Sequence, residues 1–362
     1  MAASLLHILC CIALFLATQA AATAFWKQPS VFSIPRGGST AAANATVPAW
    51  KSRLPAPLSS KGNHTLEKIR IGTTTIYLLG TAHVSRNSSA DVSLLLESVR
   101  PDGVFVELCD ARVALLEGEE EPPADANATF REKVKHLKEQ GASGLQALST
   151  VMLTSVQEDY ADTLGVELGG EFQAAYRYWR GRSGCFLLLG DRPLQLTLAR
   201  AWESLSGWWP KCKVVCGLVW SCCWKPSKEE LLKWLEKVME SESDVLTESL
   251  KELKKHFPGL YHTIIAERDA WMAAKLVQTS RSLNRRGRSQ TLVAIVGAGH
   301  VPGIVQWLTQ PTEGTTPEEI LRNLTVTRKW ANDPVVQNEI IPQWINEVTQ
   351  LQPDPTADST TR

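Results

Sequence analysis

From Leu66 onward the chain alternates between short apolar runs and longer stretches in which apolar residues recur every three or four positions. The first pattern is that of strands and the second that of amphipathic helices. Leu66 to Ile71 and Thr74 to Leu79, rich in β-branched residues and joined through Ile71-Gly72-Thr73, predict a hairpin. Ser88 and Asp91 stand in capping-box spacing ahead of Val92, Leu95, Leu96 and Val99. That spacing predicts a helix, and Pro101-Asp102-Gly103 ends it. Val104 to Leu108 reads as a buried strand, the stretch from about Phe130 to Trp179 as helical, and Cys185 to Leu189 as another strand. Pro193 opens a helix running to Leu205. Lys228 to Lys255 predicts two charged amphipathic helices, Leu260 to Leu283 one long helix, Thr291 to Val296 a last strand, and Val301 the start of a further helix. Unbroken apolar strands alternating with helices predict an α/β fold: a mixed, largely parallel sheet covered by helices, with a helical excursion and a C-terminal helical extension.

The pattern divides the chain into an N-terminal region (1–24 and 25–65), an α/β domain (66–310), an extension (311–350) and a polar tail (351–362) expected to be disordered. The apolar stretch Leu5 to Ala17, followed by Ala22-Thr23-Ala24 before Phe25, predicts a signal peptide and the secretory route. The first acidic residue is Glu67, and Lys27, Arg36, Lys51, Arg53 and Lys61 lie among Ala, Ser, Thr and Pro. This arrangement resembles the bipartite addresses of algae with complex plastids. Secretion or an endomembrane location, with a Pro/Ala-rich linker, is the alternative.

At 362 residues, 44% hydrophobic and 21% charged, the chain is long enough for a substantial core, and its composition excludes wholesale disorder and a polytopic membrane protein. Lys plus Arg and Asp plus Glu both number 38, so the overall field that draws nucleic acid is missing and no nucleic-acid partner is expected. Residues 205–226 are rich in Trp and Cys. Cys212, Cys216, Cys222 and Cys223 lack zinc-ribbon spacing, and the apolar run Val214 to Trp224 is too short to span a bilayer. Its aromatics and basic flanks (Lys211, Lys213, Lys225) suit peripheral membrane contact through 208–224. A helical excursion packed on the domain with inert thiols is the plainer reading.

The candidate chemistry lies where the apolar runs end. Leu79 leads into Gly80-Thr81-Ala82-His83, Val106 into Glu107, Leu189 into Gly190-Asp191-Arg192, and Val296 into Gly297-Ala298-Gly299-His300. In open α/β sheets ligands bind beyond the carboxyl ends of parallel strands, so these groups would converge on one crevice. His83, His300 and Glu107 form a ligand set suited to a divalent transition metal (Mn, Co, Zn or Fe), whose bound hydroxide would be the nucleophile. Simpler readings compete: Glu107 pairing with Arg112, Asp191 capping the helix that starts at Pro193, and Glu171 favoured by a helix dipole. Glu267 and Arg268 each lie one turn from apolar residues, so their charges need internal partners or serve as supports for the site. Gly297-x-Gly299-x-x-x-Gly303 imitates a dinucleotide fingerprint, but its spacing is off and no second strand with an acid follows. H-E-x-x-H and G-x-S-x-G are absent.

Gly80-Thr81-Ala82-His83-Val84-Ser85, Val106-Glu107-Leu108-Cys109 with Arg112, Gly170-Glu171-Phe172, Leu189-Gly190-Asp191-Arg192-Pro193, Glu267-Arg268-Asp269 and Val296-Gly297-Ala298-Gly299-His300 occur in that order. The series resembles the successive motifs of the TraB/PrgY family over about Leu66 to Gln310. That family is distantly similar to the Tiki proteases and to heme-uptake and erythromycin-esterase-like proteins. The resemblance implies a metal-dependent hydrolase acting on a peptide or protein, with His83, His300 and Glu107 at the centre. It implies Arg112, Glu171, Asp191, Arg192 and Arg268 in support. Some eukaryotic members of the family resemble organelle-membrane tethers, which makes a non-catalytic, membrane-associated regulator docking through the Trp/Cys segment the alternative.

Overall fold

The computed structural model describes residues 50–55, 58, 66–81, 86–112, 116, 131–132, 135, 169–213, 253–284, 290–310 and 314–351. The signal peptide, most of the linker, His83, Cys216, Cys222, Cys223, most of Phe130 to Trp179 and of Lys228 to Lys255, and the tail past Leu351 lie outside the described residues.

Six strands form one sheet: β1 (Leu66–Ile71), β2 (Thr74–Thr81), β3 (Gly103–Val106), β4 (Phe186–Leu189), β5 (Gln290–Gly297) and β6 (Thr349–Leu351), in the order β1-β2-β5-β3-β4-β6. The inner strands β2, β5, β3 and β4 are parallel, and β1 and β6 close the edges antiparallel. The predicted hairpin is β1–β2, and its Ile71↔Thr74 register leaves Gly72 at a left-handed φ of 61°, a backbone shape that glycine adopts without Cβ strain. Asn284 pins that turn by accepting from Thr73 N–H (3.1 Å) and Thr74 Oγ1 (3.0 Å).

Strand residues alternate between two faces, and each face has its own core. Leu79, Val104, Val106, Leu187, Leu189, Val293 and Ile295 pack against α1 (Arg86–Val99) and α2 (Gly170–Arg180) through Val92, Leu95, Leu96, Phe172 and Trp179. Ile76, Leu78, Phe105, Leu188, Leu292, Ala294 and Val296 pack against α4 (Glu267–Asn284) and α5 (Val301–Thr309) through Met272, Leu276 and Ile304. The result is a three-layer α/β/α arrangement, as continuous apolar strands require. Helix α3 (Leu194–Ser204) follows β4, and α6 (Pro317–Thr325) and α7 (Ile341–Asn346) build the C-terminal extension. Leu196, Ala270, Trp271 and Ala274 of α3 and α4 form one cluster with Leu321, Trp330, Ile341 and Ile345 of that extension.

Three expectations need correction. Ser88 does not cap α1: the helix is already formed at Arg86, which puts Ser88 in its first turn. The helical extension ends in a short strand, Thr349–Leu351, which pairs with β4, so the sheet takes in Leu351, the first residue of the span read as tail. The long helix contains a π turn, His262–Ala266, immediately before Glu267. Among the described residues no helix is long and apolar enough to cross a membrane.

Candidate functional site

The parallel register brings the strand ends to one edge. Thr81 pairs with Gly297, and the ladder continues past β3 and β4. Glu107 N–H donates to Ile295 O (3.1 Å), Gly190 N–H to Val106 O (3.0 Å) and Asp191 N–H to Leu108 O (3.1 Å). Glu107 and Asp191 are thus held by backbone bonds beside the turn that carries His300. Two glycines make the approach possible. A Cβ on Gly190 would lie 1.7 Å from the Phe105 ring, and one on Gly303 would lie 2.0 Å from Asp269 Oδ2. The glycines that imitated a nucleotide fingerprint therefore include one that lets α5 pack against α4 at Asp269.

Arg268, fully buried on α4, sits at the middle of the edge. Its Nε donates to Asp191 Oδ1 (2.8 Å) and its Nη2 to Asp191 Oδ2 (2.9 Å), and Nη2 also donates to Glu107 Oε1. Glu107 Oε2 accepts the Gly297 N–H at 2.6 Å. Arg112 Nη2 donates to Asp191 Oδ2 (2.5 Å) and to the Glu107 carbonyl (2.9 Å). Burial opposes each of these charges, but Asp191 and Glu107 outweigh it for Arg268, whose pKa rises. Likewise Arg268 and Arg112 hold the Asp191 carboxyl below its ordinary range.

His300 completes the cluster. Its Nδ1 meets Asp269 Oδ1 at 2.5 Å, while its Nε2 lies 3.3 Å from Glu107 Oε1 and 3.1 Å from Arg268 Nη1. Burial alone would lower its pKa, but Glu107 and Asp269 outweigh burial and Arg268, and the imidazole is pushed up to about 9. Among the described residues, three carboxyl groups (Glu107, Asp191, Asp269) face Arg112, Arg268 and His300, and burial pushes the Asp269 carboxyl up while His300 and Arg268 hold it down.

A second cluster stands on the neighbouring turn of α4. Glu267 accepts from Arg192 Nη1 (2.5 Å) and from Arg200 Nε (2.7 Å) and Nη2 (2.6 Å). Arg192 also donates to the carbonyl of Thr263, within the π turn, at 2.8 Å. Single π turns of this kind occur frequently at functional sites.

The structure thus gathers Glu107, Arg112, Asp191, Arg268 and His300. Arg192 is directed to Glu267 instead. Glu171, buried in the first turn of α2, lies beside α1, where Ser89 Oγ donates to Gly170 O at 3.2 Å. The capping reading of Asp191 gives way: Pro193 is the N-cap of α3 with no side-chain cap, and the Asp191 carboxylate serves Arg268, Arg112 and the Arg192 N–H. Arg112 reaches Asp191 and the main chain of Glu107, while the Glu107 carboxylate meets Arg268. Asp269 and Arg200 were not singled out from sequence. Consecutive charges Glu267-Arg268-Asp269 within a buried helix were the available sign, since each must find a partner.

Chemically, Asp269 fixes the His300 ring so that Nε2 is the atom offered to the site, the usual orientation of both metal-binding and acid–base histidines. Glu107 Oε1 and His300 Nε2, 3.3 Å apart, are compatible with neighbouring ligands of one ion at about 2.1 Å each. Among the described residues no group of three His, Cys, Asp or Glu gathers as a metal site, and His83, the third ligand expected from the sequence, lies outside them.

The model of the TraB/PrgY/gumN family matches residues 65–314. A TraB domain-containing protein of Bos taurus is 34% identical over 250 residues, 65% of this chain and 63% of the relative. One from Homo sapiens is 33% identical over 242 residues, 63% and 61% of the two chains. An uncharacterized protein of Methanocaldococcus jannaschii is 31% identical over 246 residues, 66% of this chain and 54% of the relative. The matched part spans only about three fifths of the length of the animal relatives.

Proposed function

Because this chain belongs to the TraB/PrgY/gumN family, we propose that its strand-end cluster is the centre of a peptidase-like, metal-dependent hydrolase. The observation that carries the reading is the Asp269–His300–Glu107 line: a buried imidazole oriented through Nδ1, with Nε2 facing a carboxylate. Glu107 and His300, with His83, would hold a divalent transition metal (Mn, Co, Zn or Fe). When bound, it would polarise a substrate carbonyl and lower the pKa of water. His300 must release its Nε2 proton to become a ligand, and Asp269 keeps the ring in place while it does. Arg268 shares Glu107 and Asp191, so it weakens any cation bound beside it. In exchange it supplies fixed positive charge where an oxyanion would form. Arg112 holds Asp191, and so positions Arg268.

Elemental analysis of the purified protein beside its His83→Ala/His300→Ala variant tests this reading, together with a peptide-library cleavage assay. Stoichiometric metal in the wild type, absent from the folded variant along with cleavage, is the expected result. No metal in either protein after reconstitution with these ions would overturn it.

A second reading, a membrane-associated regulator, is favoured by Trp208 and Trp209, which are 71% and 57% exposed, with Lys213 Nζ 5.9 Å from the Trp209 ring. Aromatic side chains flanked by lysines suit an anionic lipid interface. Under it, Trp208→Ala/Trp209→Ala abolishes sedimentation with phosphatidylserine vesicles and the histidine variants are silent.

A further inference from the structure

Beside Asp191 a cavity of ≈ 140 Å³ opens between the carboxyl ends of β3 and β4 and the segment that leads into β6. At about 30 Å³ per water it holds four to five waters' worth of space, room for one side chain. Its inner lining includes Cys109, Asp191, Leu194 and Trp271, and its rim includes Asp110, Gln343 and Glu347, which are solvent-exposed. The far wall lies past residue 314, where the family match ends.

This wall is built into the fold. Lys275, itself 4% exposed, donates to the carbonyls of Trp344 (2.6 Å), Ile345 (3.2 Å) and Glu347 (2.6 Å), which occupies all three ammonium donors. Thr349 then pairs with Leu189 at the end of β4. Gln343 Nε2 donates to Glu347 Oε2 at 3.2 Å and holds that carboxylate at the rim.

Two features define what fits. Asp191 is already paired with Arg268 and Arg112, and Lys275 gives its donors to three carbonyls. Those neutral acceptors leave the ammonium charge in place with Glu347 acting on it, so Asp110 and Glu347 together outnumber it and the rim is net negative. Independently, Trp271 lines the cavity, is 1% exposed and has an indole N–H with no partner among the described residues, so a ligand carbonyl that reached it would satisfy a donor that is otherwise buried at a cost. We propose that this cavity is a substrate subsite of the Arg268 cluster that accepts a residue with a cationic side chain, lysine or arginine, of a peptide. The Gln343–Thr349 segment is the part of this chain that sets the preference. The proposal rests on the peptidase reading for its biological setting and not for its test.

The test is binding of Nα-acetyl-lysine amide and Nα-acetyl-arginine amide to the full chain, by titration calorimetry or saturation-transfer NMR, with Nα-acetyl-norleucine amide and Nα-acetyl-glutamate amide as controls. Both cationic probes are expected to bind about tenfold more tightly than norleucine amide, and Asp110→Asn/Glu347→Gln to erase that difference, the scale of two partly exposed charge pairs. Both substitutions are on exposed side chains, and unchanged circular dichroism reports the intact fold. The His83→Ala/His300→Ala variant is expected to keep the preference. If neither cationic probe binds, if norleucine amide binds equally, or if the double rim variant keeps the preference, the subsite assignment is wrong even for an active hydrolase. If the preference is present while no peptide is cleaved and no metal is bound, the hydrolase reading fails and the subsite stands.

Discussion

Arg268 neutralises two buried carboxylates that would otherwise face each other at the ends of adjacent strands. Removing one partner from such a set leaves uncompensated charge in a medium that cannot solvate it, which costs more than the ion pair itself contributes. Arg268→Ala is therefore expected to destabilise the protein by about 3–5 kcal/mol in urea unfolding. Arg268→Lys, which keeps the charge but loses the planar fork that spans Asp191 and Glu107, should recover part of that loss. Equal midpoints for alanine and lysine would show that geometry matters and charge does not. Glu267 gives a different signature. Burial would raise its carboxyl, but the hydrogen bonds from Arg200 and the charges of Arg192 and Arg200 outweigh it, and the group is held well below the ordinary carboxylate range. A carboxyl depressed in the folded state contributes stability above its unfolded value, near 4.5, and loses it as the pH falls through the folded value. The Glu267→Gln variant is thus expected to be less stable at neutral pH yet to show a flatter decline below pH 4.5, read as unfolding midpoints across an acid series. An unchanged acid slope would place the acid sensitivity elsewhere.

At the scale of elements, the most regular patterns were the most legible. The hairpin, the β3, β4 and β5 runs and the long helix ending at Asn284 follow from periodicity, because strands buried on both faces and helices buried on several leave few polar positions to confuse the pattern. β6 was not legible: Thr349-Gln350-Leu351 has neither length nor alternation, and only the open edge of β4 makes it a strand. The site was half legible. Strand ends named Glu107, Asp191 and His300, since glycine or a charge ending an apolar run is visible in one dimension. Which carboxylate each arginine meets depends on how α4 lies across the sheet edge, and no spacing encodes that. Glycine placement gives an element-scale prediction. Gly190→Ala puts a Cβ 1.7 Å from the Phe105 ring, a group held in the core, so it should prevent folding or lower the midpoint steeply. Gly303→Ala drives a Cβ to 2.0 Å from Asp269 Oδ2 and should instead disturb the Asp269–His300 bond, visible as an altered imidazole resonance in a folded protein. A normal His300 signal in that variant would contradict the close-packed α4–α5 contact.

At the scale of the molecule, the family match and the folding unit do not share a boundary. The match ends at residue 314, yet α6, α7 and β6 cover the back of α4, extend the sheet and supply the acceptors for Lys275. Truncation after residue 314 would bare Leu196, Ala270 and Trp271, expose the edge of β4 and remove three carbonyls from a buried ammonium. Each change is unfavourable by a separate mechanism: lost apolar burial, an unpaired strand edge and an unsatisfied charge. The chain ending at residue 314 is expected to be insoluble or to bind a hydrophobic dye, with a thermal transition broader than that of the full protein. If the shorter chain stays soluble and cooperative, the extension is an accessory to a self-sufficient domain. Its loss of preference for lysine amide would then report the missing wall of the cavity without any contribution from unfolding.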